Sequence, residues 1–249
     1  MKTKNHIIVF TVFIVVLYVT TSVMEWCSHY FWMHRNIPYV FEDPHYNTYH
    51  ITHHKDTYLT QYNDGDEETM VFGLWTSHTM VITIVLLLIF SLLWYTIRTL
   101  QLIRYPLYIL ICLLIIFIYY WAWGSLHCQY HHRTVSLHNQ IRYNLVPFFR
   151  PNTNSPIYHY LFKYHALHHL NKGESKGNYN ILCPLMDHLC NTYTPRVDNR
   201  LYFSKHQPTT PQEEWLYRNQ VFDIRIVPNN IIEYQLENTH QWNRFPYDV

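Results

Sequence analysis

The chain has 249 residues, and its 18 Lys and Arg nearly balance its 17 Asp and Glu, which leaves a formal net charge of +1. That balance argues against a nucleic-acid-binding protein, because such proteins need a basic face. Hydrophobic residues make up 49% of the chain, which excludes an intrinsically disordered protein. With five glycines, the sequence contains neither a Walker motif nor a dinucleotide-binding motif. Histidine is the outlier, because its 19 residues outnumber Lys and Arg together.

Three apolar segments, at about residues 7–26, 71–97 and 105–124, are long enough to cross a membrane. Each provides the roughly 18–20 residues that a helix needs to span the hydrocarbon core. The first segment also fits a signal peptide, but it lacks a small-x-small cleavage site, so we interpret it as a retained helix. A short link joins the second and third segments, which predicts a helical hairpin.

The basic residues near these segments predict the orientation of the chain. If the first segment spans once and the hairpin returns, residues 25–70 and 125–249 share one side of the membrane. That side carries more of the nearby positive charge, for example Arg35, Lys55 and Arg133. Such an excess favours the cytoplasmic side for both long regions.

The last part of the chain, residues 195–249, is polar and differs in pattern from the rest. It contains the strand-like segment VFDIRIV, then a Pro-Asn-Asn turn, then IIEYQL. Branched and aromatic residues on either side of a turn indicate a pair of strands. We therefore predict a small β-containing extension, of unknown role, after a main domain at residues 1–194.

Most of the histidines fall into four clusters beside the predicted membrane segments. The clusters are His29 and His34; His50, His53 and His54; His127, His131 and His132; and His165, His168 and His169. Residues spaced i, i+3 and i+4 lie on one side of a helix. Each HxxHH cluster is therefore expected to present three imidazoles to one region of space.

These spacings predict a metal centre, because neutral imidazole is the commonest metal ligand near neutral pH. Ten regularly placed histidines exceed the coordination of one ion and suit two ions with four or five ligands each. All-nitrogen ligation suits iron, zinc or copper better than calcium or magnesium. The predicted ligands are His29, His34, His50, His53, His54, His127, His131, His165, His168 and His169.

Several further residues are candidates for a supporting role at this centre. His132 and His188 are candidate additional ligands, and Asp187 is a candidate ligand or hydrogen-bond partner of a ligand. Glu25, Asp56 and Asn180 are further candidates to hold the second nitrogen of a ligand ring. The five cysteines are scattered without a CxxC pair, so a cysteine zinc site is not expected.

The order HxxxxH, HxxHH, membrane hairpin, HxxxHH, HxxHH resembles that of the fatty acid hydroxylase and sterol desaturase superfamily, which are integral-membrane di-metal oxygenases. Over about residues 25–194 the chain is most similar to the fatty acid (sphingolipid) 2-hydroxylase branch. Residues 163–169 resemble its KYHxxHH box. Residues 177–179 and the stretch from Asp187 to Thr192 resemble its downstream elements.

The resemblance implies an all-α integral membrane protein, in which a cytoplasmic, helical, His-rich cap holds the di-metal centre. It implies two iron ions, whose sites zinc can also occupy, dioxygen as co-substrate, and no catalytic residue beyond the metal ligands. The expected substrate is a fatty acyl or sphingolipid chain in the endoplasmic reticulum or an equivalent internal membrane. Since the chain has no HPGG haem motif, electrons are expected from a separate cytochrome b5 and its reductase.

The sequence is also compatible with two alternatives. A sterol or acyl desaturase, or a methyl oxidase, of the same superfamily needs the same metals and differs only in the fate of the substrate radical. A non-catalytic, histidine-rich membrane metal-binding protein belongs to another class. A transporter would carry its ligands inside the spans, whereas here only His78 lies within one.

Overall fold

The computed structural model describes residues 2–34, 50, 53–54, 83–89, 91, 94, 105–131, 135–237 and 239–245. The described chain is mostly helical, with a small antiparallel sheet near the C-terminus, as predicted. The helices are α1 Lys2–Cys27, α2 Tyr105–Tyr130, α3 Leu137–Asn144, α4 Pro156–Leu170, α5 Leu185–Leu189, α6 Arg200–Phe203 and α7 Pro211–Asn219. A π-helical turn, Ser28–Met33, directly follows α1, and short 3-10 turns lie at Gly173–Ser175 and Pro228–Asn230.

Helices α1 and α2 cover the first and third predicted membrane segments. Within the described part of the chain, one stretch, Ile109–Tyr130 in α2, is long and apolar enough to cross a membrane, with a mean hydropathy of 2.2. Both helices expose large apolar side chains, such as Val15 at 54% and Leu110 at 60%. Of the second predicted segment, residues 83–89 are described and are helical, and most of the remainder lies outside the described residues.

Helix α4 carries the last histidine cluster and lies at the centre of the core. It begins with Pro156 in its first turn, where a missing N–H costs nothing. Phe162 and Ala166 are fully buried, and the Phe162 ring stacks on Tyr130 of α2 with ring centres 5.2 Å apart. The helix ends at Asn171, whose side-chain amide donates to the Arg196 carbonyl at 3.0 Å. These contacts hold α4 against α2 and against the chain that leads to the sheet.

The sheet consists of β1 Val221–Val227, β2 Ile231–Leu236 and β3 Trp242–Arg244, all antiparallel, in the order β1-β2-β3. The two predicted strands and the turn between them are confirmed. Asn229 in the turn adopts a φ of 66°, a conformation that asparagine tolerates well. Strand β1 packs on α4, and the Lys163 ammonium lies 2.7 Å from the Asp223 carboxylate. The predicted extension therefore rests directly on the histidine helix.

Helix α7 was not among the predicted elements, because the segment around it reads as polar and proline-rich. The Thr210 hydroxyl accepts from the Glu213 N–H at 3.2 Å, and the Glu213 carboxylate accepts from the Thr209 N–H at 2.8 Å. Pro211 occupies the first helical position. This arrangement is close to a capping box, which stabilises the start of a short helix.

Candidate metal centre

The structure collects ten histidines into two groups of five. Within each group, one ring nitrogen from every histidine lies within 4.8 Å of the others. Group A consists of His29, His34, His50, His54 and His168, and group B of His53, His127, His131, His165 and His169. The ten are the same residues that the spacing singled out. The two groups adjoin, since the rings of His54 and His169 stack with their centres 4.2 Å apart.

The two HxxHH clusters are divided between the groups, which differs from the expectation that each faces one region. His50 and His54 belong to group A while His53 turns to group B, and His165 and His169 belong to group B while His168 turns to group A. The cause is helical geometry: i and i+4 are about 40° apart around the axis, whereas i+3 and i+4 are about 100° apart. A cluster with this spacing can therefore serve two adjacent centres.

His29 and His34 reach the same group because of the π-helical turn after α1. Their spacing is i, i+5, which points the two side chains about 140° apart on an α-helix. In the turn Ser28–Met33 the His34 N–H donates to the His29 carbonyl at 3.2 Å, an i to i+5 bond. The wider turn brings both rings to one side, with centres 5.0 Å apart. Such π-helical turns are frequent at functional sites.

The nitrogen spacings in group A match those around a metal ion. The Nε2 atoms of His34 and His168 are 3.1 Å apart, and those of His34 and His50 are 3.0 Å apart. With metal–nitrogen bonds of about 2.1 Å, ligands at right angles lie about 3.0 Å apart and opposite ligands about 4.2 Å apart. The two observed Nε2–Nε2 distances agree with ligands at right angles. All the ligand nitrogens of group A lie within 4.8 Å of one another, which also allows ligands on opposite sides of an ion.

Two backbone carbonyls determine which nitrogen of two group A histidines is free to ligate. The Nδ1–H of His168 donates to the Gly177 carbonyl at 2.7 Å, and that of His29 donates to the Tyr179 carbonyl. Because a carbonyl only accepts, Nδ1 carries the hydrogen and Nε2 carries a lone pair. These lone pairs face other imidazole nitrogens at 3.0–3.1 Å. The lone pairs of His29 and His168 are therefore free to bind a cation among these nitrogens, and ligand histidines characteristically donate their other N–H in this way.

Group B is the more deeply buried of the two, since all five of its histidines are buried whereas three of the five in group A are half-buried. The Nε2 atoms of His131 and His165 lie 2.9 Å apart. Among the described residues, neither ring nitrogen of His169 has a hydrogen-bond partner, although His169 is 2% exposed. A buried polar atom without a partner costs about 1–3 kcal/mol, and a metal ion is a natural partner for it. The residues present therefore fit a metal in each group.

Burial keeps these imidazoles in the neutral form that binds metals. Desolvation lowers the pKa of His29 to about 3, and it lowers the pKa of His168 and His169 well below the usual value. The Lys176 ammonium and neighbouring imidazoles act in the same direction on group A. Ligands that are already neutral at pH 7 need not release protons before they bind metal.

A buried carboxylate holds the loop of residues 176–184, which presents the carbonyls of Gly177 and Tyr179 to the histidines. Asp187 is fully buried and accepts from the Tyr179 N–H at 3.0 Å, the Asn180 N–H at 2.7 Å, the Thr192 hydroxyl at 2.6 Å and the Tyr164 hydroxyl at 2.8 Å. Burial raises the pKa of Asp187, and these hydrogen bonds oppose the rise. Asp187 therefore supports His29 through the backbone of Tyr179 rather than by direct contact.

Of the other supporting candidates, Glu25 and Asn180 form hydrogen bonds that join α1 to the loop and not, among those described, to a ligand ring. Glu25 accepts from the backbone N–H groups of Leu182 and Cys183, each at 3.1 Å, and so ties α1 to the same loop. Asn180 donates to the Ser22 carbonyl at 2.8 Å. His188 is exposed, packs on the Tyr193 ring and belongs to neither group. His132 and Asp56 lie outside the described residues.

Close packing against Thr192 requires a glycine at position 177, and this requirement allows the role of the Gly177 carbonyl to be tested. A Cβ at this position would lie 2.0 Å from the Thr192 carbonyl oxygen, so Gly177→Ala must displace the loop and its carbonyl. We expect the variant to lose metal from group A while group B stays loaded, as measured by metal analysis of the purified protein. Gly124→Ala is the control, since its Cβ would meet side-chain atoms and no backbone, the Phe148 ring at 3.3 Å and the Asn144 Nδ2 at 3.5 Å. Full metal content in Gly177→Ala would contradict a role for this carbonyl.

No family model, no curated protein and no solved structure matches this chain.

Proposed function

We propose that the chain is a membrane-bound di-metal oxygenase that hydroxylates a fatty acyl or sphingolipid chain with dioxygen and external electrons. The observation that carries the proposal is the pair of adjoining five-histidine groups at the ends of long apolar helices. Group A begins directly after α1 with His29, and group B includes His127 in the last turn of α2.

The donor set is compatible with iron, since imidazole nitrogens suit iron, copper and zinc. An acyl C–H bond is nonpolar and resists acid–base side chains, so bound iron would supply the dioxygen chemistry that breaks it. Zinc fits the same nitrogens but lacks redox states, so a zinc-loaded chain would be inactive. The protein's part is to hold the ligand rings, keep them neutral and exclude water.

The apolar faces of α1 and α2 support contact with lipid. Val12 and Val15 on α1, and Leu110 and Leu114 on α2, are each more than half exposed. A water-soluble domain seldom leaves such a surface uncovered, whereas a bilayer covers it. Because α1 and α2 end beside metal ligands, an acyl chain that lies along these helices in the membrane would have its end close to the metal centre. We propose that the histidine groups face the cytoplasm, at the endoplasmic reticulum or an equivalent internal membrane, with cytochrome b5 and its reductase as electron donors.

Lipid analysis tests this function directly. Cells that express the chain should accumulate 2-hydroxylated acyl species, which gain one oxygen, and His165→Ala should abolish them because group B loses a ligand. His206→Ala is the matched control, since His206 is exposed and lies far along the chain from both groups. Loss of two hydrogens would instead identify a desaturase. No change in any lipid, in cells whose protein carries metal, would favour a non-catalytic metal-binding protein.

A further inference from the structure

A pocket of about 180 Å³ opens beside group A, on the side where α7 begins. His34 and His54 form part of its wall, and Lys172, Lys176 and Glu213 form much of the rest. A pocket of this size has room for several water-sized groups. It therefore connects two candidate metal ligands with a set of charged side chains.

Among the described residues that line the pocket, the charges are not balanced. The Lys172 ammonium lies 3.7 Å from the Glu213 carboxylate, so those two offset each other. Lys176 is partly buried, and no described carboxylate pairs with its ammonium. Burial, aided by Lys172, lowers the pKa of Lys176 to about 7, which reflects the cost of an unpaired cation at this position.

Metal binding would increase this imbalance. Neither histidine group contains a carboxylate or a thiolate among the described residues. Neutral imidazoles add no charge, so two divalent ions would bring four positive charges into a buried region. An uncompensated buried charge is strongly unfavourable, and an anion close to group A would reduce that cost.

We propose that the pocket between group A and Lys176 binds a small oxyanion, with a carboxylate as the group it fits best. The Lys176 ammonium would donate to the anion, and the anion would partly offset the charge of a metal at His34 and His54. The inference rests on the metal-binding part of the proposed function. A carboxylate could belong to a free fatty acid or to a small soluble acid, and the experiment separates these sources.

The test titrates acetate into the full chain in detergent micelles, loaded with Co²⁺, at constant ionic strength and at about pH 6, where Lys176 carries its proton and acetate is ionised. The visible spectrum of cobalt reports changes around His34 and His54. We expect a saturable spectral change, weakened roughly tenfold or more in Lys176→Gln because a charge-assisted hydrogen bond is lost. Lys176→Arg should retain most of the binding. Lys205→Gln is the control, because its ammonium is exposed and bonds Glu174 at 2.8 Å, outside the pocket.

Octanoate and octanol identify the source of the anion. Tighter binding of octanoate than of acetate, with no response to octanol, would assign the pocket to the head of an acyl chain, and equal binding would assign it to a small soluble anion. Equal responses from the unmodified chain and Lys176→Gln, or no response in a chain shown to hold cobalt, would overturn the anion site alone. A chain that binds no metal would overturn the proposed function together with it.

Discussion

His168→Ala should remove one metal ion per chain, and His169→Ala should remove the other. The two residues are neighbours on α4, yet His168 belongs to group A and His169 to group B. Each variant should therefore retain one ion of an initial two, and the double variant should retain none. Elemental analysis of the purified proteins, referred to protein concentration, measures this directly.

The neighbouring positions of His168 and His169 make the comparison sharp, because a general loss of folding would affect both sites alike. His206→Ala serves as a control for the loss of an imidazole, since His206 packs on Tyr202 at the surface. Full metal content in both single variants would disprove the ligand assignment. Loss of both ions from a single variant that is still folded, as its circular dichroism spectrum shows, would indicate that the two groups bind as one unit.

Asp187→Ala should destabilise the protein by about 3–5 kcal/mol, since it leaves several buried donors without an acceptor and each such donor costs about 1–3 kcal/mol. The carboxylate accepts from two backbone N–H groups and two hydroxyls, and it is fully buried. The loop would then lose its hold on the Tyr179 carbonyl, which orients His29. Since supporting groups of this kind change metal affinity by about 10–100-fold, group A should weaken by that amount.

Asp187→Asn separates these two effects. The amide keeps the shape and one acceptor oxygen, so the fall in the free energy of unfolding should be smaller than in the alanine variant. Chemical denaturation gives the stability, and competition with a chelator gives the affinity of each site. A variant that unfolds more easily but binds both ions normally would show that Asp187 supports the fold and not the metal centre.

The sequence was sufficient to single out the ten histidines, because their spacing repeats beside apolar segments. The sequence could not show which histidines belong to group A and which to group B, because that division depends on how α1, α2 and α4 pack. The π-helical turn at Ser28–Met33 also has no clear sequence signature, although the i, i+5 spacing of His29 and His34 requires some such departure from an α-helix.

The supporting residues were harder to predict than the ligands. Asp187 stood out as a candidate, but its action through the backbone of Tyr179 is a property of the folded loop. The sequence gives no sign that the backbone carbonyls of Gly177 and Tyr179 accept hydrogen bonds from ligand histidines, because backbone groups are the same at every position. Helix α7, by contrast, has the signal Thr-Pro-x-Glu at 210–213, which a search for capping motifs would have found. Lys176 lies close to group A only because the chain after α4 folds back beside it.

X-ray absorption at the edge of the bound metal tests the central claim most directly, because it reports the ligand atoms themselves. The structure predicts nitrogen neighbours at about 2.0–2.1 Å, with the outer scattering that marks imidazole rings. A sulfur neighbour at about 2.3 Å, or a spectrum without imidazole scattering, would contradict the two histidine groups as the metal centre.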